Sequence, residues 1–266
     1  MKASIGAFSF YQLLSQGEMN IYGYLETVKH RYRLDTVDLW NGFFADREVP
    51  VWQLPDDEEL LKIKRNLDER QLTLANLAVD RAHLWDADPD VRNLLHLNAL
   101  AHLRAAKLLG AHTVRIDANR GPGEVTEEQF DYTVRRYREY AQIAADYGFT
   151  VGPENHTGIS LDPVWMKQLA EAVDHPGYGV LLHLNRWIEG SEQGDLLVAP
   201  WVTHTHMDKR TVLSDTTELT VSKLLEMGYK GCWAIEYNAA SDPYTEIEWA
   251  LAAMKRILAS ACRSQG

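Results

Sequence analysis

The sequence predicts an α/β fold, a single (β/α)8 TIM barrel, and three observations carry that expectation. Eight short apolar, β-branched runs alternate with amphipathic stretches along all 266 residues, the pattern of a parallel sheet covered by helices. The repeating unit is about 33 residues long, which fills one barrel of ordinary size and leaves no second domain, so residues 1–266 read as one unit. After the first strand comes Ser9-Phe10-Tyr11, without the GxGxxG or Walker loop of a doubly wound nucleotide-binding sheet.

The strands are read over residues 2–10 (KASIGAFSF), 34–40 (LDTVDLW), 72–80 (LTLANLAVD), 112–118 (HTVRIDA), 150–156 (TVGPENH), 179–185 (GVLLHLN), 201–208 (WVTHTHMD) and 232–238 (CWAIEYN). Apolar runs that end in polar residues suit strands buried on both faces. The helices between them carry their own punctuation. Asp88-Pro89, Asp162-Pro163 and Asp242-Pro243 each offer a capping carboxylate ahead of a proline at the first helical position. Thr126 and Gln129 read as a capping box, and Gly148 ends the stretch they open. Gly110 follows the amphipathic run 91–109, and Gly228 follows 217–227. The weakest helix candidate is 189–200, rich in Gly, Ser and acidic residues, and Gly121-Pro122-Gly123 reads as a turn.

Composition removes several function classes. Twenty-seven basic against 38 acidic residues give a net charge of −11, which opposes a nucleic acid or an anionic membrane as the main partner. No apolar run approaches the roughly 18 residues of a membrane span. The N-terminus lacks the basic and long apolar regions of a signal peptide. Cys232 and Cys262 are the only cysteines and form no CxxC pair, so neither a disulfide framework nor a thiolate zinc site is expected. The chain is expected to be soluble and cytoplasmic.

Functional groups in a parallel barrel collect at the C-terminal ends of the strands. There the sequence places Glu154 and His156 on strand five, and His183 and Asn185 on strand six. Strand seven ends with His204, His206 and Asp208, and strand eight with Glu236 and Asn238. Glu154, His183, His206 and Glu236 are separated by 29, 23 and 30 residues, each about one unit. Neighbouring strands lie about 4.8 Å apart, so four such side chains aimed inward can converge on one ion. Two imidazoles and two carboxylates suit Mn, Zn, Fe(II) or Co better than Mg or Ca. Taken singly, such a Glu is often a structural ion pair and such a His a hydrogen-bonded core residue. Their order on four successive strands is what points to a metal, because carboxylates buried without a cation are costly.

Three motifs, ENH at 154–156, HTHMDK at 204–209 and GYKGCWAIEY at 228–237, lie at these strand ends. DPDVR and AAKLLGAHTV lie between Leu77 and Val114. On these pieces the chain resembles the xylose-isomerase-like TIM-barrel superfamily, the sugar phosphate isomerase/epimerase group that also contains ketose 3-epimerases, dehydroshikimate dehydratases and endonuclease IV. The resemblance covers nearly the whole chain, and its specificity lies in the order and spacing of short motifs. It implies one divalent ion on Glu154, His183, His206 and Glu236, with His183 standing where the family pattern has Asp and removing one negative charge. It implies that Glu154 and Glu236 also remove and return a proton, taking a sugar or keto-sugar through a metal-stabilised enediolate. With a leaving group on the next carbon the same intermediate would undergo β-elimination, so a dehydratase or lyase is the alternative. A barrel that has lost catalysis, suggested by His183, is a third. The endonuclease branch fits poorly, because strands two to four end in Trp40, Asp80 and Asp117 rather than in further histidines.

The substrate side is less determined. His156 shares a face with Glu154 and either binds a sugar hydroxyl or shuttles a proton, or is a core histidine. Arg186 and Lys209 either hold a hydroxyl, carboxylate or phosphate, or form surface salt bridges. Trp40 and His83 are candidates to pack on a sugar ring, with Trp40 alternatively capping the core. His204 lies one layer below His206, which favours support over direct ligation. Arg115 with Asp117 reads as an internal ion pair. Tyr132, Tyr137, Tyr140 and Tyr147 are expected to cover the outside of the barrel. Their exposed members, or Trp249, could form a subunit contact, a homodimer or homotetramer as the resemblance implies.

Overall fold

The computed structural model describes residues 1–119, 125–188, 193–238 and 242–263. Eight parallel strands appear: β1 (Lys2–Ile5), β2 (Thr36–Trp40), β3 (Thr73–Val79), β4 (Thr113–Ile116), β5 (Thr150–Gly152), β6 (Val180–His183), β7 (Val202–Met207) and β8 (Cys232–Ile235). Continuous ladders run β1–β8–β7–β6 and β2–β3–β4–β5. Isolated bridges close the ring, Gly6 with Asp38 between β1 and β2, and Val151 with Tyr178 and Glu154 with Leu181 between β5 and β6. Every residue of β2, β4, β6 and β8 is buried, as strands enclosed by a side-chain interior and a helical coat must be.

Ten α-helices complete the described chain: α1 (Tyr11–Ser15), α2 (Ile21–Glu26), α3 (Asp57–Glu69), α4 (Pro89–Leu109), α5 (Glu127–Tyr147), α6 (Pro163–Val173), α7 (Gly194–Val198), α8 (Lys209–Leu213), α9 (Thr217–Glu226) and α10 (Pro243–Arg263). Their ends fall where the capping signals lie. The Asp88 carboxylate accepts from the Asp90 N–H, Asp162 accepts from Val164 and Trp165, and Asp242 accepts from Thr245. Thr126 and Gln129 form the reciprocal box, and Gly148 and Gly110 end α5 and α4 in the left-handed conformation. Tyr137 and Tyr140 on α5 are buried against the barrel, the former donating to the Ile116 carbonyl at 2.6 Å. Residues 189–192 and Gly121-Pro122-Gly123 lie outside the described residues.

All eight strands are shorter than their hydrophobic pattern suggests, β1 and β5 most of all. β1 stops at Ile5, and Ala7–Phe10 winds into a tight 3-10 turn. There Phe10 packs among Tyr24, Tyr32 and Tyr244, while Phe8 turns to the edge of Trp40. The alternation of residues 7–10 therefore reflects two aromatic packing sites, not a pleat. β5 ends at Gly152 because Pro153 has no N–H to give a ladder. Asn155 then takes over the join to β6, accepting from the His183 N–H at 2.7 Å and donating to the carbonyls of His183 and Arg186.

The β5–β6 seam requires an absent side chain. A Cβ on Gly152 would lie 1.7 Å from the Gly179 carbonyl oxygen, a backbone atom with no rotamer to yield. Gly152→Ala is expected to cost about 3 kcal/mol or more, lowering Tm by on the order of 10 °C for a chain of this size, as calorimetry of the two proteins will show.

The segment after β6 is fastened by one buried carboxylate. Asp195 accepts from the Asn185 N–H at 3.1 Å and from the Trp187 indole N–H at 2.6 Å. Burial pushes its pKa up from 3.8 to about 6, against the lowering effect of those donors. A folded pKa above the unfolded one means the folded chain holds the proton more tightly, so this stabilisation is lost as pH rises through about 6. From pH 5 to 7.5 the wild type should lose about 1 kcal/mol that Asp195→Asn retains, read from denaturation at the two pH values.

Candidate active site

The barrel brings the four strand-end residues together. Glu154 follows β5, His183 closes β6, His206 is the penultimate residue of β7, and Glu236 follows β8. Their positions are set by register: His183 pairs with His206, His206 with Ala234, and the Glu236 N–H donates to the Met207 carbonyl at 3.0 Å. One ligand atom from each lies within 4.8 Å of all the others. His183 Nδ1 is 3.3 Å from Glu154 Oε1 and 3.8 Å from Glu236 Oε2. His206 Nδ1 is 3.7 Å and 3.3 Å from the same two oxygens.

Beneath them, Asp38 in the middle of β2 reaches across the barrel. Its Oδ2 accepts from His204 Nε2 and from His206 Nε2, both at 2.7 Å. Its Oδ1 accepts from Asn76 Nδ2 at 2.8 Å, and Asn76 Oδ1 accepts from the Thr113 hydroxyl at 2.9 Å. With its Nε2 proton committed to Asp38, His206 turns Nδ1 toward both glutamates, where this buried atom has no hydrogen-bond partner. An imidazole braced on a carboxylate, with its other nitrogen aimed at two more carboxylates, is the arrangement of a metal-ligating histidine. The residues therefore fit a divalent cation.

The charge balance agrees. Around the cluster stand five carboxylates, Asp38, Asp80, Asp117, Glu154 and Glu236, against two guanidiniums, Arg115 and Arg186. Five minus two leaves three negative charges for imidazolium or metal to offset. Burial alone would raise the Glu154 carboxyl, yet His156, His183 and His206 hold it well below its usual range. Glu236 is held down against burial by His206, with Glu154 acting in the opposite sense. Burial disfavours a charged His206, but Glu236 and Asp38 outweigh it and raise its pKa well above 6.5. A cation at Nδ1 would stand in for that proton. Arg115 keeps its charge despite burial because Asp117, Asp80 and Glu154 surround it.

Above the cluster opens a cavity of about 470 Å³ lined by Phe8, Trp40, Asp80, Arg115, His156, Thr157, Arg186 and Glu236. One wall is aromatic: Phe8 meets Trp40 edge-on at 5.1 Å, and the Trp40 indole N–H donates to Asp80 at 3.1 Å. The other carries His156, whose Nδ1 lies 3.0 Å from Asp117. Glu154 and Asp117 raise the His156 pKa against the effect of burial. Glu236 reaches the cavity, whereas Glu154 lies under it at 1% exposure.

Of the substrate-side candidates, Trp40, His156 and Arg186 thus line this cavity. Lys209 does not: its ammonium pairs with Glu246 at 2.9 Å beside Tyr237 and Trp249. His83 is half-buried and outside the lining residues. His204, one layer down, has its Nε2 2.7 Å from Asp38. Sequence reasoning missed Asp38, Asp80 and the reach of Arg115, which meets Asp117 at 3.1 Å as expected but also Asp80 at 2.9 Å and Glu154 at 3.4 Å. The available signal was a lone charge inside an apolar strand, Asp38 in TVDLW and Arg115 in TVRI.

Fold and site together define a parallel barrel with a four-residue His/Glu cluster at its C-terminal mouth. The chain belongs to the xylose isomerase-like TIM barrel family, whose model matches residues 35–257. No curated protein sequence matches it. Among solved structures it is similar to a D-psicose 3-epimerase from Clostridium cellulolyticum H10 determined with D-tagatose, at 17% identity over 97% of this chain and 99% of that one, TM-score 0.76. An L-ribulose 3-epimerase aligns with TM-score 0.78 and 14% identity over 100% and 97% of the two chains. A probable 3-DHS dehydratase from Bacillus anthracis aligns with TM-score 0.71 and 13% identity over 96% and 99%. At these identities the likeness is one of fold.

Asp38→Asn should leave the barrel folded and weaken Mn or Zn binding by about 10- to 100-fold, measured by calorimetric titration alongside circular dichroism.

Proposed function

We propose that the chain is a divalent-metal-dependent isomerase or epimerase of a sugar or keto-sugar. The observation that carries this reading is the buried Glu154–His183–His206–Glu236 cluster at the floor of a cavity with one aromatic and one charged wall. A divalent ion held there would polarise a substrate carbonyl and offset the negative charge that develops when the neighbouring C–H is deprotonated. The chain's own groups supply the rest. Glu236 faces the cavity and is positioned to take the proton. Glu154, deeper and beside Arg115 and Arg186, is the weaker base of the pair, and unequal surroundings divide proton removal from proton return. Phe8 and Trp40 offer an apolar wall to a sugar ring, while Arg186 and His156 present donors to its oxygens.

A second reading rests on His156. Its place in the cavity wall, where Glu154 and Asp117 favour its charged form, positions it to protonate a departing oxygen, which favours β-elimination when the substrate carries a leaving group. Product analysis in D2O separates the two: deuterium in a stereoisomer marks epimerisation, and an unsaturated product marks elimination. No helix among the described residues is long and apolar enough to cross a membrane, and Cys232 and Cys262 are free thiols. A cytoplasmic location and a homodimer or homotetramer are part of the proposal.

Glu154→Gln and Glu236→Gln are each expected to lower turnover by about 10²- to 10⁴-fold with the fold intact, measured by solvent-deuterium exchange into a keto-sugar panel. Near-wild-type turnover in both variants would remove the proton-transfer assignment. Failure to take up any divalent metal would return the chain to a non-catalytic barrel.

A further inference from the structure

The main cavity does not end at Arg186. A second cavity of about 330 Å³ shares Arg186 with it and is bounded by His183 of the cluster, and by Asn185, Trp187 and Ser214. A third, of about 350 Å³, shares Asn185, Trp187 and Ser214 and extends toward Thr216, Thr220 and Lys223 at α9. The three cavities thus adjoin one another through shared lining residues, in a line from the reactive cluster along the segments after β6 and β7.

Trp187 stands at the join of the two outer compartments, and it is built into place. Its indole N–H is tied at 2.6 Å to Asp195, which is only 2% exposed. Its ring lies so close to Gly194 that an added Cβ would come within 2.7 Å of Cδ1 and Nε1. The backbone on either side of Arg186 is pinned as well, Asn185 by Asp195 and the Arg186 carbonyl by Asn155. A half-buried indole tied at its N–H, backed by Gly194 and set among amide, hydroxyl and charged side chains is a platform for a ring that is apolar on its face and polar at its rim. Two of the lining cations are already engaged, and Lys223 stands at the outer end. Arg186 is within 3.7 Å of Glu154, and Arg210 pairs with Asp208 at 3.2 Å.

Resting on the keto-sugar reading above, we propose that the substrate carries a second ring. A sugar or aromatic group, linked to the reacting keto-sugar, stacks on Trp187 in the cavities beyond Arg186. Binding energy gathered there, remote from the reacting carbon, holds the keto-sugar against Glu236.

The test uses the Mn-loaded protein and its Trp187→Ala and Trp187→Phe variants. The one-ring probes are D-psicose, D-fructose, D-fructose 6-phosphate and the 3-keto derivative of methyl glucoside. The two-ring probes are palatinose and the 3-keto derivative of phenyl glucoside. Deuterium exchange gives kcat/KM, and saturation-transfer NMR reports contact with the second ring independently of turnover. The expected result is a preference of about tenfold or more for two-ring probes, collapsing in Trp187→Ala and kept in Trp187→Phe. Preference for the one-ring or phosphorylated probes, or an equal loss on all probes in Trp187→Ala, overturns the inference while leaving the keto-sugar reading intact. Saturation transfer to the second ring that Trp187→Ala abolishes, without exchange on any probe, supports the second-ring site and overturns the keto-sugar reading instead. Absence of both signals overturns both.

Discussion

Burial of charge at one end of the barrel is the constraint on which the rest of the site depends. Carboxylates that leave water must find protons, hydrogen bonds or cations, and here they are provided by strands from opposite sides of the ring. Asp38 on β2 accepts from two imidazoles of β7, and through Asn76 and Thr113 it is joined to β3 and β4. It sets the tautomer of His206, and through it the direction of an imidazole nitrogen that faces both glutamates. The orientation of the cluster is thus decided one layer below the chemistry.

The two glutamates occupy unlike surroundings although they arise from equivalent positions of two units. Glu154 sits where the β5 ladder has already ended, beneath the cavity and between two guanidiniums. Glu236 follows β8 beside the β7 backbone and meets the cavity directly. Such a difference is what a pair of carboxylates needs if one is to gain a proton while the other gives one up. Cys232, at the start of β8, takes no part: burial pushes its thiol up to about 12.

The segment after β6 connects the reactive end to the outer cavities. Asn155 and Asp195 replace strand pairing there with side-chain hydrogen bonds to the backbone. Arg186 and Trp187 are thereby held on a loop with the definition of a regular element, which is how a barrel combines a fixed frame with variable substrate contacts.

The sequence by itself determined the eight strands, the capped helices between them and the four strand-end ligand candidates, because each rests on local information. Period, capping residues and the C-terminal position on a strand can be read without knowing what lies opposite. It also placed His204 beneath His206, since residues two apart on a strand share a face. What only the tertiary structure decided are the partners that cross the ring. Asp38 lies 168 positions from His206, and nothing in TVDLW says which strand its carboxylate will meet. Arg115 was legible as a partner of Asp117, two residues away, but not of Glu154, which meets it only when β4 and β5 are laid side by side. Lys209 looked equivalent to Arg186 in sequence, one following strand seven and the other strand six. The turn into α8 carries it away to Glu246 on α10, because a side chain's target depends on the direction in which its segment leaves the barrel.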